Sequence, residues 1–394
     1  MKILYITLEN LSLHKGSVVH VKEIVTGLRK LGHQVGLVAS SLNESEEADY
    51  FYNLHHMPDV LLRLFRLKRQ PYWISSLFLF IYLLKILPQY DVIYARDSHT
   101  VIVALFPRLI FKRKLVFEIN GIGNEEQKLK KPSILNRVLV YLIKKMERIA
   151  TKYSDRIVSV TPQIASYLMT QFNCQPNKIE IIGNGVSTKK FHPIQDEVLL
   201  MKLRRRLGIP EEDILVVFVG NLAPWQGIEF LIQVAPCLIK KIESIRFLII
   251  GDGILRDGLK AKVSELGVSE HFIFTGMVDH EQIPLYINLA DICVLLKRRL
   301  KSGYSPIKVY EYMACGKPII ASRVEGLEFI EEEGIGRLTE PEDVTNLGEA
   351  LNDIVKKDTQ DIIKMGQKAI QIANERFSWD SKVANIEKIL KELA

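Results

Sequence analysis

The sequence predicts an α/β protein of two domains, each a parallel sheet covered by helices on both faces. Three observations carry this expectation. The chain has 394 residues, too many for one ordinary core and suited to two of similar size. Short apolar or β-branched runs alternate with stretches of helical periodicity, the pattern of strand–helix–strand crossovers. The alternation breaks at a polar link around residues 183–187 and then restarts.

Residues 2–8 read as the first strand, and Val18, Val21, Val25, Leu28 and Leu31 form the buried stripe of the helix that follows. Further strands are expected at 34–39, 91–95, 114–119, 156–160 and 178–182. Their nearly continuous apolar character fits parallel strands buried on both faces. Residues 74–87 are the most apolar run, with Arg63, Arg66, Lys68, Arg69 and Lys85 around them. That run falls short of the roughly 20 residues of a spanning helix, so it reads either as a packed helix or as one lying in a membrane interface. After the link, a helix at about 196–207 leads to strands at 214–219, 246–250, 272–274, 292–296 and 318–321, and the last stretch reads as entirely helical. Ser378 caps and Trp379 anchors a terminal helix. The expected domains are 1–190 and 191–378, with a helix at 379–394.

A content of 47% hydrophobic and 25% charged residues suits a soluble globular protein. Cys174, Cys237, Cys293 and Cys315 show no metal-ligand spacing and read as free thiols in a reducing compartment. Met1-Lys-Ile-Leu-Tyr-Ile-Thr-Leu8 reads as a strand and not as a signal peptide, so a cytoplasmic location is expected. The net charge of +7 is unevenly spread: residues 1–195 hold 27 basic and 15 acidic side chains, a balance of +12, and the remainder is −5. A basic first half suits an anionic membrane surface or an acidic acceptor. No helix-turn-helix, zinc-finger or RNA-recognition pattern occurs, so nucleic acid is not an expected partner. With no Asp-x-Asp pair and no histidine cluster at ligand spacing, neither a metal nor a cofactor is expected.

The most informative stretch is Gly303-Tyr-Ser-Pro-Ile-Lys-Val-Tyr-Glu-Tyr-Met-Ala-Cys-Gly-Lys-Pro-Ile-Ile-Ala-Ser322, which reads as polar loop, helix and buried strand. Ser305 is expected to cap the helix with Pro306 in its first turn. The free backbone N–H groups there, near Gly303, Tyr304 and Ile307, suit an anion. Lys308 and Glu311 lie three apart on one helical face, a cation for phosphate beside a carboxylate that can accept hydrogen bonds from ribose hydroxyls. Gly16 and Ser17 open the first helix, where N–H groups and the helix dipole can face a diphosphate.

This segment resembles the donor-nucleotide segment of family 4 glycosyltransferases, GT-B enzymes that transfer a sugar from a nucleotide diphosphate. The resemblance covers nearly the whole chain. It includes Lys15-Gly16-Ser17 with His20, Asn184-Gly185-Val186 with Phe191-His-Pro193, Gly220-Asn-Leu-Ala-Pro-Trp-Gln-Gly227, Gly251-Asp-Gly253 and Phe274-Thr-Gly276. Each motif is weak alone; in this order and at these separations they are specific. The resemblance implies two Rossmann-like domains facing across a cleft, with the terminal helix crossing back onto the first. It also implies a nucleotide-sugar donor in the second domain, an acceptor in the first, and retention of anomeric configuration by front-face attack assisted by the leaving phosphate.

Departures from the family pattern are as informative. The resemblance implies arginine after Gly220 and lysine before Gly227, both on the donor diphosphate; here they are Asn221 and Gln226. Two lost charge-assisted hydrogen bonds amount to about 1.5–3 kcal/mol each, and Lys308, Arg298, Arg299 or Lys301 are the candidates to compensate. Of the two glutamates the family places eight apart, Glu311 keeps the ribose role, while Gly303 stands where the donor-sugar glutamate is expected. Asn120 stands where relatives often have histidine near the donor sugar, and an amide hydrogen-bonds without moving a proton. Glu118, on the same strand, or His99, after another strand, is therefore expected to supply a base or orient the acceptor. The chain reads as a retaining, nucleotide-sugar-dependent transferase acting on a lipid-linked or membrane-borne glycan in cell-envelope polysaccharide or glycolipid synthesis. A non-catalytic sugar-nucleotide-binding subunit and a GT-B epimerase or phosphorylase are the alternatives.

Overall fold

The computed structural model describes residues 1–12, 16–39, 51–53, 72–128, 133–299 and 303–393, with main chain alone at 51–53, 72–75 and 126. Lys15, Arg63, Arg66, Lys68, Arg69 and Lys301 lie outside the described residues. The chain divides into two compact units, one of Met1–Asn184 with Lys382–Ala394 and one of Gly185–Ser381.

The first unit is built on a seven-stranded parallel sheet in the order β3-β2-β1-β4-β5-β6-β7. Its strands are β1 Lys2–Thr7, β2 Gln34–Ala39, β3 Phe51–Asn53, β4 Val92–Arg96, β5 Lys114–Ile119, β6 Arg156–Ser159 and β7 Ile179–Ile181. The edge strand β3 was not expected: Phe51-Tyr-Asn53 is too short to show a period and, unlike the three residues of β7 within 178–182, sits in no longer apolar run. On one face the helix Gly16–Lys30 buries Val18, Val21, Val25 and Leu28. Leu31 falls just beyond that helix and is 46% exposed, so the predicted stripe ends one turn early. On the other face the helices Tyr72–Ile86, Ser98–Ile110, Ile134–Tyr153 and Pro162–Phe172 share one apolar cluster with the strands.

The terminal helix Trp379–Leu393 belongs to both units. Trp379 is buried, and the Ser381 N–H donates to Ser378 Oγ at 3.3 Å, the expected cap. From Lys382 onward the helix packs within the first unit. A Cβ on Gly27 would come within 2.6 Å of Val383 Cγ2, so the close approach of the two helices requires glycine there. His33 pairs with Glu387 at 2.9 Å and Arg156 with Glu392 at 3.1 Å along the same helix.

The second unit holds six parallel strands in the order β10-β9-β8-β11-β12-β13. These are β8 Ile214–Val219, β9 Ile245–Ile250, β10 Phe272–Gly276, β11 Ile292–Leu295, β12 Ile319–Ser322 and β13 Gly336–Thr339. The strand β13 corrects the expectation of an entirely helical last stretch. Gly336-Arg-Leu-Thr339 has exposed Arg337 and an apolar Leu338, too short an alternation to stand out from its helical flanks. The strand order reverses between β8 and β11, the switch point beside which doubly wound sheets bind ligands at their carboxyl ends.

Candidate functional site

In the first unit the sheet register sets Arg96, the last residue of β4, beside Glu118 of β5. Glu118 is fully buried, accepts three hydrogen bonds and faces the His20 ring. Tyr94 Oη donates to its Oε2 at 2.7 Å; Arg96 Nε at 3.1 Å and Asn120 Nδ2 at 2.7 Å donate to Oε1, and His20 Nε2 lies 2.8 Å from the same oxygen. Burial alone would raise the carboxyl's pKa; the His20 ring, then Arg96 and the Asn120 amide, outweigh it and hold it down at about 2. His20 Nδ1 faces Asn184 Oδ1 at 2.6 Å, so the glycine-loop helix, the β5 end and the Asn184 motif meet at one point.

These contacts bear on Glu118 and His99, the two residues expected to supply a base or orient the acceptor. A carboxylate that accepts three hydrogen bonds and is held at a lowered pKa is a weak base. His99 is not tied to Glu118: its Nε2 lies 2.7 Å from Ser76 Oγ on the helix Tyr72–Ile86, and burial lowers its pKa. Asp97, between Arg96 and His99, has φ of 97° and caps the next helix by accepting from the Thr100 N–H at 2.9 Å. Gly16 and Ser17 form the first residues of their helix, as expected.

In the second unit the loop after β8 carries Asn221, Gln226 and Gly227. Asn221 lies over the backbone of Gly253, and the Leu222 N–H donates to the Asp252 carbonyl at 2.9 Å, bringing two of the sequence motifs together. Gly227 has φ of 63° and sits against Leu296 as the N-cap of the helix Ile228–Ile239, a conformation that favours glycine. Lys297, just past β11, is 9% exposed and donates from Nζ to Gln226 Oε1. Burial, then the neighbouring charge of Lys308, pulls its pKa down to about 8.

The helix Ile307–Ala314 is fixed under β8 by Tyr312, whose hydroxyl accepts the Val219 N–H at 3.0 Å. Lys308 Nζ is 3.3 Å from Glu311 Oε2, and His280 Nε2 is 3.3 Å from Glu311 Oε1. His280 Nδ1 in turn faces Lys190 Nζ at 2.8 Å. Glu311 is 1% exposed; burial pushes its pKa up, but Lys308 and His280 prevail and the net shift is downward, so the carboxylate stays ionised. The cap differs from expectation. Pro306 itself is the N-cap, one residue later than predicted and without a side-chain hydrogen bond, while the Ser305 hydroxyl lies 3.3 Å from that of Tyr310. Gly303 takes φ of 63°, and Tyr304 donates from Oη to the Arg298 carbonyl at 2.7 Å.

Of the cations expected to replace the missing pair, Lys308 sits beside Glu311. Arg298 reaches Glu229 at 3.0 Å and Arg299 reaches Glu340 at 3.0 Å, both on exposed side chains. Lys297 holds the inward place that they do not. Its signal in the sequence is a lysine directly ending the buried run Ile292-Cys-Val-Leu-Leu296; Arg96 ends an apolar run in the same manner. His280 and Lys190 carry no local signal, since they reach Glu311 only through the fold.

Residues 14–190 match the model of glycosyltransferase family 4, and residues 201–390 match that of glycosyl transferases group 1. An uncharacterized glycosyltransferase of Methanocaldococcus jannaschii is 27% identical over 256 residues, 63% of each chain. A GDP-mannose-dependent α-(1-6)-phosphatidylinositol monomannoside mannosyltransferase of Mycolicibacterium smegmatis is 27% identical over 217 residues, 54% of this chain and 56% of that one. The matched stretches thus span less than two thirds of either relative. The solved structure of Anabaena HepE in complex with UDP and glucose superposes with a TM-score of 0.74 at 20% identity, covering 100% of both chains, and shows the same fold. With one match filling most of each unit, the chain belongs to the family 4, group 1 glycosyltransferases, with their GT-B fold.

Proposed function

We propose that the protein moves a glycosyl group, with retention, from a nucleoside diphosphate sugar held by the second unit to a hydroxyl of a membrane-borne acceptor held by the first. The observation that carries this is the buried Lys297 on Gln226, within the field of Lys308, beside an ionised Glu311 at the switch point of the second sheet. Glu311 has the charge to accept two ribose hydroxyls, and the two lysines face the charge that grows on the departing diphosphate. In the transfer, the acceptor oxygen bonds to the anomeric carbon as the carbon–phosphate oxygen bond breaks, and the acceptor proton passes to the leaving phosphate. The engaged Glu118 supports that route, because its own oxygens are already taken by Tyr94, Arg96 and Asn120; Asn120 orients by hydrogen bonding alone. UDP and glucose in Anabaena HepE support a nucleotide-sugar donor. The phosphatidylinositol mannoside named for the mycolicibacterial relative supports a membrane-borne acceptor.

The test is thermal unfolding with UDP, GDP, ADP, dTDP and CMP sugars, each beside its free nucleotide. A ligand at a hundred times its Kd adds about 2.7 kcal/mol, which for a domain of this size raises Tm by about 5–10 °C. One sugar nucleotide is expected to stand out; no shift with any of them would overturn the reading.

Lys297 gives a sharper check. Lys297→Met is expected to weaken diphosphate donors by about 10–100-fold, the worth of one charge-assisted hydrogen bond, and to leave the bare nucleoside unaffected. As pH rises through about 8 the wild-type ammonium loses its proton and diphosphate affinity falls. Lys297→Arg should abolish that fall, since a guanidinium stays charged. A wild-type affinity flat from pH 7 to about 9.5, a range that spans a titration near 8, would remove Lys297 from the donor site.

A further inference from the structure

We propose that the outer surface of the first unit, formed by the helices Tyr72–Ile86, Ser98–Ile110 and Ile134–Tyr153, docks on an anionic lipid bilayer. The three helices pack side by side on one face of the sheet, with the rings of Phe80 and Phe106 5.9 Å apart between the first two. Their inward residues enter the core; what they turn outward is unusual. On the helix Ile134–Tyr153, Ile134 is 82% exposed and Leu135 69%, and exposed Val138, Leu139 and Leu142 continue the stripe at helical spacing. Phe106, Leu109 and Ile110 are also exposed, near the C-terminal end of the next helix, and so are Leu77, Phe78 and Ile81 on the one beyond. Single exposed apolar side chains are ordinary, but neighbouring helices that each turn a group of them outward, with five at helical spacing on the helix Ile134–Tyr153, mark an interaction surface.

Charge identifies the occupant. The second half of the helix Ile134–Tyr153 exposes Lys144, Lys145, Arg148 and Lys152. The three helices contain a single carboxylate, Glu147, which is 2% exposed and bonded to Asn124. An apolar stripe continuing into a basic half, with no exposed acid, is what anionic headgroups over acyl chains select. The sequence drew attention to 74–87 alone, yet Leu79, Leu83 and Ile86 of that helix face the core, and the strongest stripe lies on the helix Ile134–Tyr153. Among the described residues no helix is long and apolar enough to cross a membrane, so contact is by lying on it.

The proposal rests on the membrane-borne acceptor for its purpose, but docking and donor binding are read separately. Full-length protein is sedimented with vesicles of phosphatidylcholine alone or with about a third phosphatidylglycerol, at ionic strengths from about 0.1 M to 1 M, where the Debye length falls from about 10 to 3 Å. Binding to the anionic vesicles that weakens with salt is expected. The triple variant Lys144→Glu, Lys145→Glu, Arg148→Glu should lose it by on the order of 100-fold, from the worth of each cation near a charged surface. Leu135→Ser, Leu139→Ser, Leu142→Ser should lose it as well, with Tm and the sugar-nucleotide shift unchanged in both variants, because every altered residue is exposed. Undiminished vesicle binding by both variants would overturn the proposal. So would a wild-type dimer in light scattering that the leucine variant dissociates without any vesicle binding, which would assign the surface to a second copy. Vesicle binding without a sugar-nucleotide shift would uphold the docking and remove the donor reading instead.

Discussion

Glu118→Gln is expected to lower the unfolding temperature by about 6–20 °C, the equivalent of about 3–5 kcal/mol in a domain of this size. Shape is nearly conserved, so the loss is electrostatic. The amide removes the negative charge that faces Arg96 and His20, both buried, and brings an NH2 group against donors already in place. Circular dichroism during heating checks the value, and a loss within about 1 kcal/mol, the range of an exposed pair, would mean that the cluster is solvated. The pH dependence gives an independent sign. A carboxyl held at about 2 against an ordinary value of 4.5 adds stability that is fully present above 4.5 and lost as pH falls through 2. The gap between wild type and variant should therefore close over that window.

Glu311→Ala is expected to cost at least about 100-fold in sugar-nucleotide affinity and to abolish turnover, because an ionised acceptor for two ribose hydroxyls contributes about 1.5–3 kcal/mol for each hydrogen bond. The residue is buried between Lys308 and His280, which keep it charged and leave the ribose nothing to reorganise. Calorimetric titration and a transfer assay read the two effects apart. Unchanged affinity would detach Glu311 from the nucleotide. Wild-type binding with neither transfer nor donor hydrolysis under any acceptor tried would leave a binding subunit as the surviving function.

Strands were legible because both sheets are parallel and doubly covered, so the central strands are nearly continuous apolar runs, broken only by single residues such as Glu118 and Arg246. The failures share a cause: β3 and β13 are edge strands of three and four residues, and their pairing comes from the neighbouring strand rather than from their own pattern. At the site, Lys308 and Glu311 were legible as a pair because one helical turn joins them. The clamp on Glu118 was not, since Tyr94, Arg96, His20 and Asn120 come from three segments that meet only when the register is set. Gln226 and Lys297, 71 residues apart, show the same limit: the amide stands where a cation is expected, and only the fold reveals that a lysine touches it.

The shared terminal helix imposes an order on synthesis. The sheet of the first unit and all of the second emerge from the ribosome before Val383, Glu387 and Glu392 exist to meet Gly27, His33 and Arg156. The unit translated first is therefore the unit completed last. Its final packing depends on contacts spanning more than 230 residues (Arg156 to Glu392 is 236), the kind of distant closure that slows folding and leaves apolar surface open meanwhile.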